Sequence, residues 1–152
     1  MDWVEEIYRQ ARLLAEQDLR DAAQEYISIV RERTKKGQGA YEKYTPYGRS
    51  HKRRREKKGL QTKDKDLHFS GTMFDSVRLK DVRWEGDTIM GTIDFSGQAY
   101  RRSDQKSHHK GEPAANKDLA VWFEERQGHK VLKATAEEKE AIYQKFLVHV
   151  ND

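Results

Sequence analysis

The chain has no cysteine, only two prolines and three methionines among its 152 residues. Without thiols there is no disulfide framework, no thiol nucleophile and no cysteine-ligated zinc, and the composition suits a reducing compartment. Apolar residues are scarce too: 35% of the chain is hydrophobic against 37% charged, and the mean hydropathy is -1.10. No run approaches the roughly 20 apolar residues of a membrane span. Residues 1–20 show no basic start followed by an apolar stretch, so no secretory signal is expected. A chain of this length makes one domain. With so few core-forming side chains, elongation or assembly with other subunits is expected. These absences point to a soluble intracellular or virion-type protein that makes no membrane contact.

What the chain does have is charge, unevenly placed. The net charge is +4 overall. Residues 1–30 hold three Lys/Arg and seven Asp/Glu, residues 31–65 hold 14 and four, and residues 66–152 hold 13 and 15. The basic segment peaks at His51-Lys52-Arg53-Arg54-Arg55-Glu56-Lys57-Lys58, shortly after Tyr41, Tyr44 and Tyr47. Gly37, Gly39, Pro46, Gly48 and Gly59 cluster in the same region and predict a basic loop or extended arm over 37–66. Burying so many like charges without partners is prohibitive. Arg49, Lys52, Arg53, Arg54, Arg55, Lys57 and Lys58 are therefore expected on the surface, as contacts to an acidic protein face or to DNA. Arg101 and Arg102, in the polar stretch 96–115, are candidates for the same role. The tyrosines have two readings: bases stack on them while the cations hold phosphates, or they pin the loop to the core.

The periodicity predicts an α+β domain. Val4, Ile7, Ala11, Leu14, Leu19, Ala22, Tyr26, Ile29 and Val30 recur at helical spacings without an intervening Gly or Pro, so residues 2–34 read as one long helix. Early acids (Asp2, Glu5, Glu6) and late bases (Arg31, Arg33, Lys35, Lys36) suit its dipole, and Gly37 is its stop. Such a helix is about 50 Å long, well beyond a domain radius of roughly 15 Å. One end is expected to project or to pack on a neighbouring subunit. Ser70-Gly71 caps a short helix with Met73, Phe74 and Val77. A hairpin follows, with a bulge near Lys80-Asp81, where Val77/Leu79 and Val82/Trp84 fall out of phase. Its turn lies at Gly86-Asp87, and Ile89, Gly91, Ile93 and Phe95 keep a period of two. Residues 96–115 read as a polar loop or second arm. A helix from Asn116 to near Gly128 carries Leu119, Val121, Trp122 and Phe123, and Val131-Leu132 reads as a short strand. Thr135 to Glu138 is a capping box opening a last helix, with Ile142, Phe146 and Val150 on one face. Trp84, Ile89, Ile93, Phe95, Trp122 and Phe123 are the expected buried set.

Nothing in the chain reads as an active site, so no enzymatic activity, cofactor or metal is expected. His108 and His109 are adjacent and would point apart on regular structure; with Glu112 they read as a solvated arm rather than a metal site. His149 reads as a surface or helix-end residue, and Glu124-Glu125 as a solvated pair without a partner at catalytic spacing. Lys36-Gly37-Gln38-Gly39 lacks the Gly-Lys-Ser/Thr ending of a phosphate loop.

The order of features then resembles a known family. A long amphipathic helix leads into Tyr44-Thr45-Pro46-Tyr47-Gly48-Arg49-Ser50, then the Lys/Arg-rich stretch. Next comes Leu67-His68-Phe69-Ser70-Gly71-Thr72-Met73-Phe74-Asp75-Ser76-Val77. This is similar to the phage virion-morphogenesis (tail-completion) family and related head-tail joining proteins of the neck. There a leucine, a Ser/Thr-Gly pair and an apolar-x-x-Ser-apolar helix follow the basic segment; Leu67, Ser70, Gly71, Met73, Ser76 and Val77 match that pattern. The hairpin turn at Gly86-Asp87, the segment Ala120 to Gly128, and Val131-Leu132-Lys133-Ala134-Thr135 before an acidic helix extend the likeness over nearly the whole chain. The resemblance implies a non-enzymatic virion structural protein that forms a homo-oligomeric ring around the DNA channel, a hexamer first and a dodecamer second. Its implied partners are adjacent neck, connector or tail-tube proteins, with nonspecific contact to genomic DNA, and its place is the virion, or the host cytoplasm during assembly. Tail terminator, tail-completion protein and connector all remain compatible with it. The alternative is a small basic nucleic-acid-binding protein using residues 31–65.

Overall fold

A computed structural model describes residues 2–63, 75–100, 113–115 and 131–151. It has an α+β fold in the order α1 (Trp3–Lys35), α2 (Arg49–Lys57), β1 (Arg78–Glu85), β2 (Thr88–Asp94), β3 (Gln98–Tyr100), β4 (Pro113–Ala115) and α3 (Ala136–Phe146). Four expected features lie outside the described residues. They are the motif positions Leu67, Ser70, Gly71 and Met73, the arginines Arg101 and Arg102, the histidines His108 and His109 with Glu112, and the 116–128 helix with Trp122, Phe123 and Glu124-Glu125.

Local chemistry explains the ends of α1. The Asp2 side chain accepts the Val4 N–H at 3.3 Å, leaving one fewer orphan donor in the first turn. At the other end Gly37 takes φ +69. Its N–H reaches the Thr34 carbonyl at 2.9 Å, and the Gln38 N–H reaches that of Arg33 at 3.1 Å. This paired closure needs a residue that tolerates the left-handed region, and glycine does so without a Cβ penalty. The chain then folds back tightly: Tyr44 N–H bonds the Gly37 carbonyl at 2.7 Å, and the Tyr44 side chain is buried.

The core forms on the C-terminal half of α1. Ala22, Tyr26, Ile27 and Val30 pack with Val77, Phe95, Val131, Ala134 and Ile142, with Ile93, Leu132, Phe146, Val148 and Val150 at the margin. The β1–β2 hairpin is antiparallel, with Glu85 opposite Thr88 across the Gly86-Asp87 turn and a register shift between Lys80 and Arg83. The expected bulge is therefore present, with Asp81 at φ 53. Gly91 sits opposite it, where a Cβ would come within 2.7 Å of Leu79 Cδ1 and 3.3 Å of the Lys80 carbonyl. The hairpin lies on α1: Trp84 Nε1 donates to Glu16 Oε1 at 3.0 Å, and the Arg12 guanidinium stands 4.8 Å from the Trp84 ring centre. Phe95 is buried as expected, whereas Trp84, Ile89 and Ile93 are only half-buried.

Four expectations are corrected. Residues 37–66 are not all loop, because Arg49–Lys57 form α2. Arg, Lys and Glu are good helix formers, and Gly59 at φ +69 closes the helix with the same paired bonds as Gly37, from Gly59 N–H to Glu56 and Leu60 N–H to Arg55, both at 3.0 Å. Val131-Leu132 form a turn rather than a strand. Their carbonyls are taken by side chains of α1: Tyr26 OH donates to Leu132, and Arg33 donates to Val131 at 3.4 Å and to Lys133. Val150 packs on the core but not from α3. The helix ends at Phe146, and Leu147 at φ 54 redirects the chain. The Thr135–Glu138 capping box is present, and Glu138 also pairs with Arg33. The 96–115 stretch is not loop throughout, since Gln98–Tyr100 and Pro113–Ala115 pair as antiparallel β3 and β4.

Candidate functional site

Two surfaces stand out, one apolar on α1 and one basic on α2. The buried residues of α1 begin at Leu19. Before it Trp3, Val4, Ile7, Tyr8, Leu13 and Leu14 are all exposed, Trp3 by 72% and Leu14 by 67%. Val4, Ile7, Ala11 and Leu14 follow one another at spacings of three, four and three, the seam spacing of a helix–helix contact. From Leu14 to Leu19 the step is five residues, so Leu19 lies about 140° around the axis from Leu14, at about 100° per residue. The first stripe is thus distinct from the core stripe, and the hairpin does not cover it. The periodicity places the helix but not this change of face; the five-residue step is the signal that marks it.

The basic surface is more ordered than an arm. Arg49, Lys52, Arg53, Arg54, Lys57 and Lys58 are exposed. Arg55 is not: it is 1% exposed, with Nε donating to the Gln61 carbonyl at 2.7 Å. Its guanidinium lies 4.5 Å from the centre of the Tyr47 ring. This corrects its expected place among the surface contacts. The Tyr47 ring also stacks on His51 at 4.8 Å. Tyr47 just before α2, and His51 and Arg55 within it, follow at four-residue steps, so the Tyr47 ring packs against a face of α2 made of an imidazole and a guanidinium. The sequence signal was there, hidden inside a run of like residues. A guanidinium packs flat on an aromatic face, which makes Arg55 a structural residue among functional-looking neighbours.

The same geometry decides between the two readings of the tyrosines. Tyr44 and Tyr47 are 2% and 7% exposed, and only Tyr41 is open, at 64%. Two of the three pin the segment to the body and offer no face for a base. The two described motif residues also pack: Val77 joins the core, and the Ser76 carbonyl accepts Ser96 N–H at 3.0 Å and Ser96 Oγ at 2.7 Å.

Of the described histidines, His149 stacks on Tyr143 at 4.6 Å, in keeping with a helix-end position. An open groove of about 1310 Å³ runs between α1, β2, α3 and the C-terminal segment, with Leu19, Ala22, Ile89, Ile93, Phe146 and Val150 on its walls. Among the described residues no three His, Asp or Glu side chains converge where a metal ion could sit, and no helix is long and apolar enough to cross a membrane. No protein-family model matches the chain, and no curated protein or solved structure is significantly similar to it.

Proposed function

We propose that the chain is a non-enzymatic structural subunit of a tailed-phage virion. It assembles into a closed homo-oligomeric ring, six subunits before twelve, at the head-tail neck or the head-proximal end of the tail. The observation that carries this reading is the exposed apolar stripe on the first four turns of α1, taken with the motif order described above. Soluble monomers rarely leave contiguous apolar patches of this kind open, and such patches mark interaction sites. The buried residues of this 33-residue helix begin only at Leu19; Arg12 and Glu16 meet Trp84 of the hairpin, while Val4, Ile7 and Leu14 stay exposed and open to a neighbour. A head-to-tail contact of that sort generates a ring when its rotation closes. The polar composition fits as well, because part of the apolar surface that stabilises the protein lies between subunits. Electron microscopy of intact tailed particles tests the position: the reading requires density for this fold in a ring at the neck, and particles that contain the protein nowhere, or only outside the neck, contradict it.

The second reading, a free-standing nucleic-acid-binding protein using residues 31–65, loses the support of base stacking, since Tyr44 and Tyr47 are buried. It keeps the support of the basic helix. The ring reading accounts for both surfaces, because a subunit lining a DNA channel has use for an apolar contact on one side and positive charge on another.

A further inference from the structure

We infer that the outer face of α2 is a binding site for the sugar-phosphate backbone of duplex DNA, gripping it without reading sequence. Its central residues are Arg49, Arg53 and Lys57, flanked by Lys52 and Arg54. The inference rests on the helix and its charges, and it stands whether or not the chain forms a ring.

Arg49, Arg53 and Lys57 lie at four-residue steps on one side of a nine-residue helix. Each step advances about 6 Å along the axis, so three cations form a ladder of about 12 Å. Lys52 and Arg54 stand about 100° to either side of Arg53, while Arg55 is on the opposite side, buried against the flanking Tyr47 and Gln61. The rotation of α2 is therefore fixed by the Arg55 contacts with Tyr47 and Gln61, and its C-terminal end by the Gly59 closure. The helix backbone is thus ordered before binding, and only the exposed side chains remain to be immobilised. Glu56 is the single acid in the helix. Among the described residues, none of these five cations is engaged in an ion pair.

The chemistry of the face selects the ligand. The sequence Arg49–Lys58 contains no apolar side chain. A protein partner would find no hydrophobic centre there, and protein interfaces have one, with Lys depleted. A phosphate backbone needs only cations and hydrogen-bond donors. Single-stranded nucleic acid is bound chiefly by stacking bases on aromatic side chains, and the nearby rings of Tyr44 and Tyr47 are buried. A duplex keeps its bases stacked on one another and offers phosphates alone. The acidic character of residues 1–30, seven Asp/Glu against three Lys/Arg, disfavours DNA along α1 and confines it to the α2 side.

The test is titration of the full chain with two unrelated fluorescent duplexes and with single-stranded DNA, across 50 to 200 mM salt. Five phosphate contacts give a slope of log affinity against log salt of about -4, hence a loss of about 10²–10³-fold over that range. The two duplexes bind alike. Arg49→Gln, Arg53→Gln and Lys57→Gln together flatten the slope by about three units, while the thermal midpoint stays put. Absence of duplex binding at 50 mM salt overturns the proposal, as does a triple variant that binds like the native chain. Tighter binding to single strands than to duplex, or equal binding to polyglutamate, overturns it in favour of a stacking site or an acidic protein partner. The oligomeric state of the same samples is read separately: loss of rings with DNA binding intact counts against the proposed assembly and leaves this site standing.

Discussion

Truncating Arg55 removes the donor to the Gln61 carbonyl and the cation from the Tyr47 ring. A hydrogen bond from a charged donor contributes about 1.5–3 kcal/mol, and the lost packing of the long side chain adds to it. Arg55→Ala is therefore expected to lower stability by at least that amount in urea unfolding. Arg53→Ala, two positions away and exposed, should change it by no more than about 0.5 kcal/mol. Equal effects of the two substitutions would contradict the placement of Arg55. Replacing the whole basic run with Gln would remove an internal support together with the surface charge, so a test of the charge must spare Arg55. At Phe95, 3% exposed, truncation to Ala should cost about 3–5 kcal/mol, the range for large core aromatics. A loss below about 1 kcal/mol would mean that Phe95, just after β2, does not pack in the core as described.

At the scale of elements, features governed by local chemistry were legible in the sequence. The Gly37 stop, the bulge before Val82, the Gly86-Asp87 turn and the Thr135–Glu138 box each depend on a few adjacent residues, and each is where the spacing put it. What the sequence hid depends on partners distant along the chain. Val131 and Leu132 look like a strand because they are apolar, yet Arg33 and Tyr26 from α1 take their carbonyls. The helix α2 was hidden because its inward face is polar, so no apolar period announced it. The basic surface was legible by composition, its geometry was not; the apolar stripe was legible only as part of a long helix.

The exposed half of α1 also carries a pH dependence. Glu6 accepts from Arg9 at 2.6 Å and from Gln10 at 2.8 Å. The Arg9 bond first, and then the Gln10 bond, hold its carboxyl below the ordinary value. A carboxylate whose folded pKa is lowered stabilises the folded form at neutral pH and loses that contribution as pH falls through the lowered value. Helical NMR shifts of residues 3–12 should therefore weaken in that acid range, and less so in Glu6→Gln. An acid response identical in the native chain and the variant would show that Glu6 is not its source.

At the scale of the molecule, the chain is a small packed body with two surfaces that its own described fold leaves open. In the proposed ring a neighbour's surface covers the apolar stripe, while the basic ladder lies on a different element, α2. Charge placed within the stripe should separate these functions. Ile7→Lys with Leu14→Lys is expected to leave the thermal midpoint of the monomer nearly unchanged, because both side chains are exposed and exposed substitutions away from supporting contacts are nearly neutral. The same pair should abolish assembly, since two charges in a seam of helix contact meet a desolvation cost without partners.

Native mass measurement of the concentrated protein tests the central claim most directly. The account predicts a closed particle of six, or failing that twelve, copies of the 17.9 kDa chain, and reversion to single chains in the Ile7→Lys/Leu14→Lys variant. A species of 17.9 kDa alone at every concentration, or rings that persist unchanged in the variant, would contradict it.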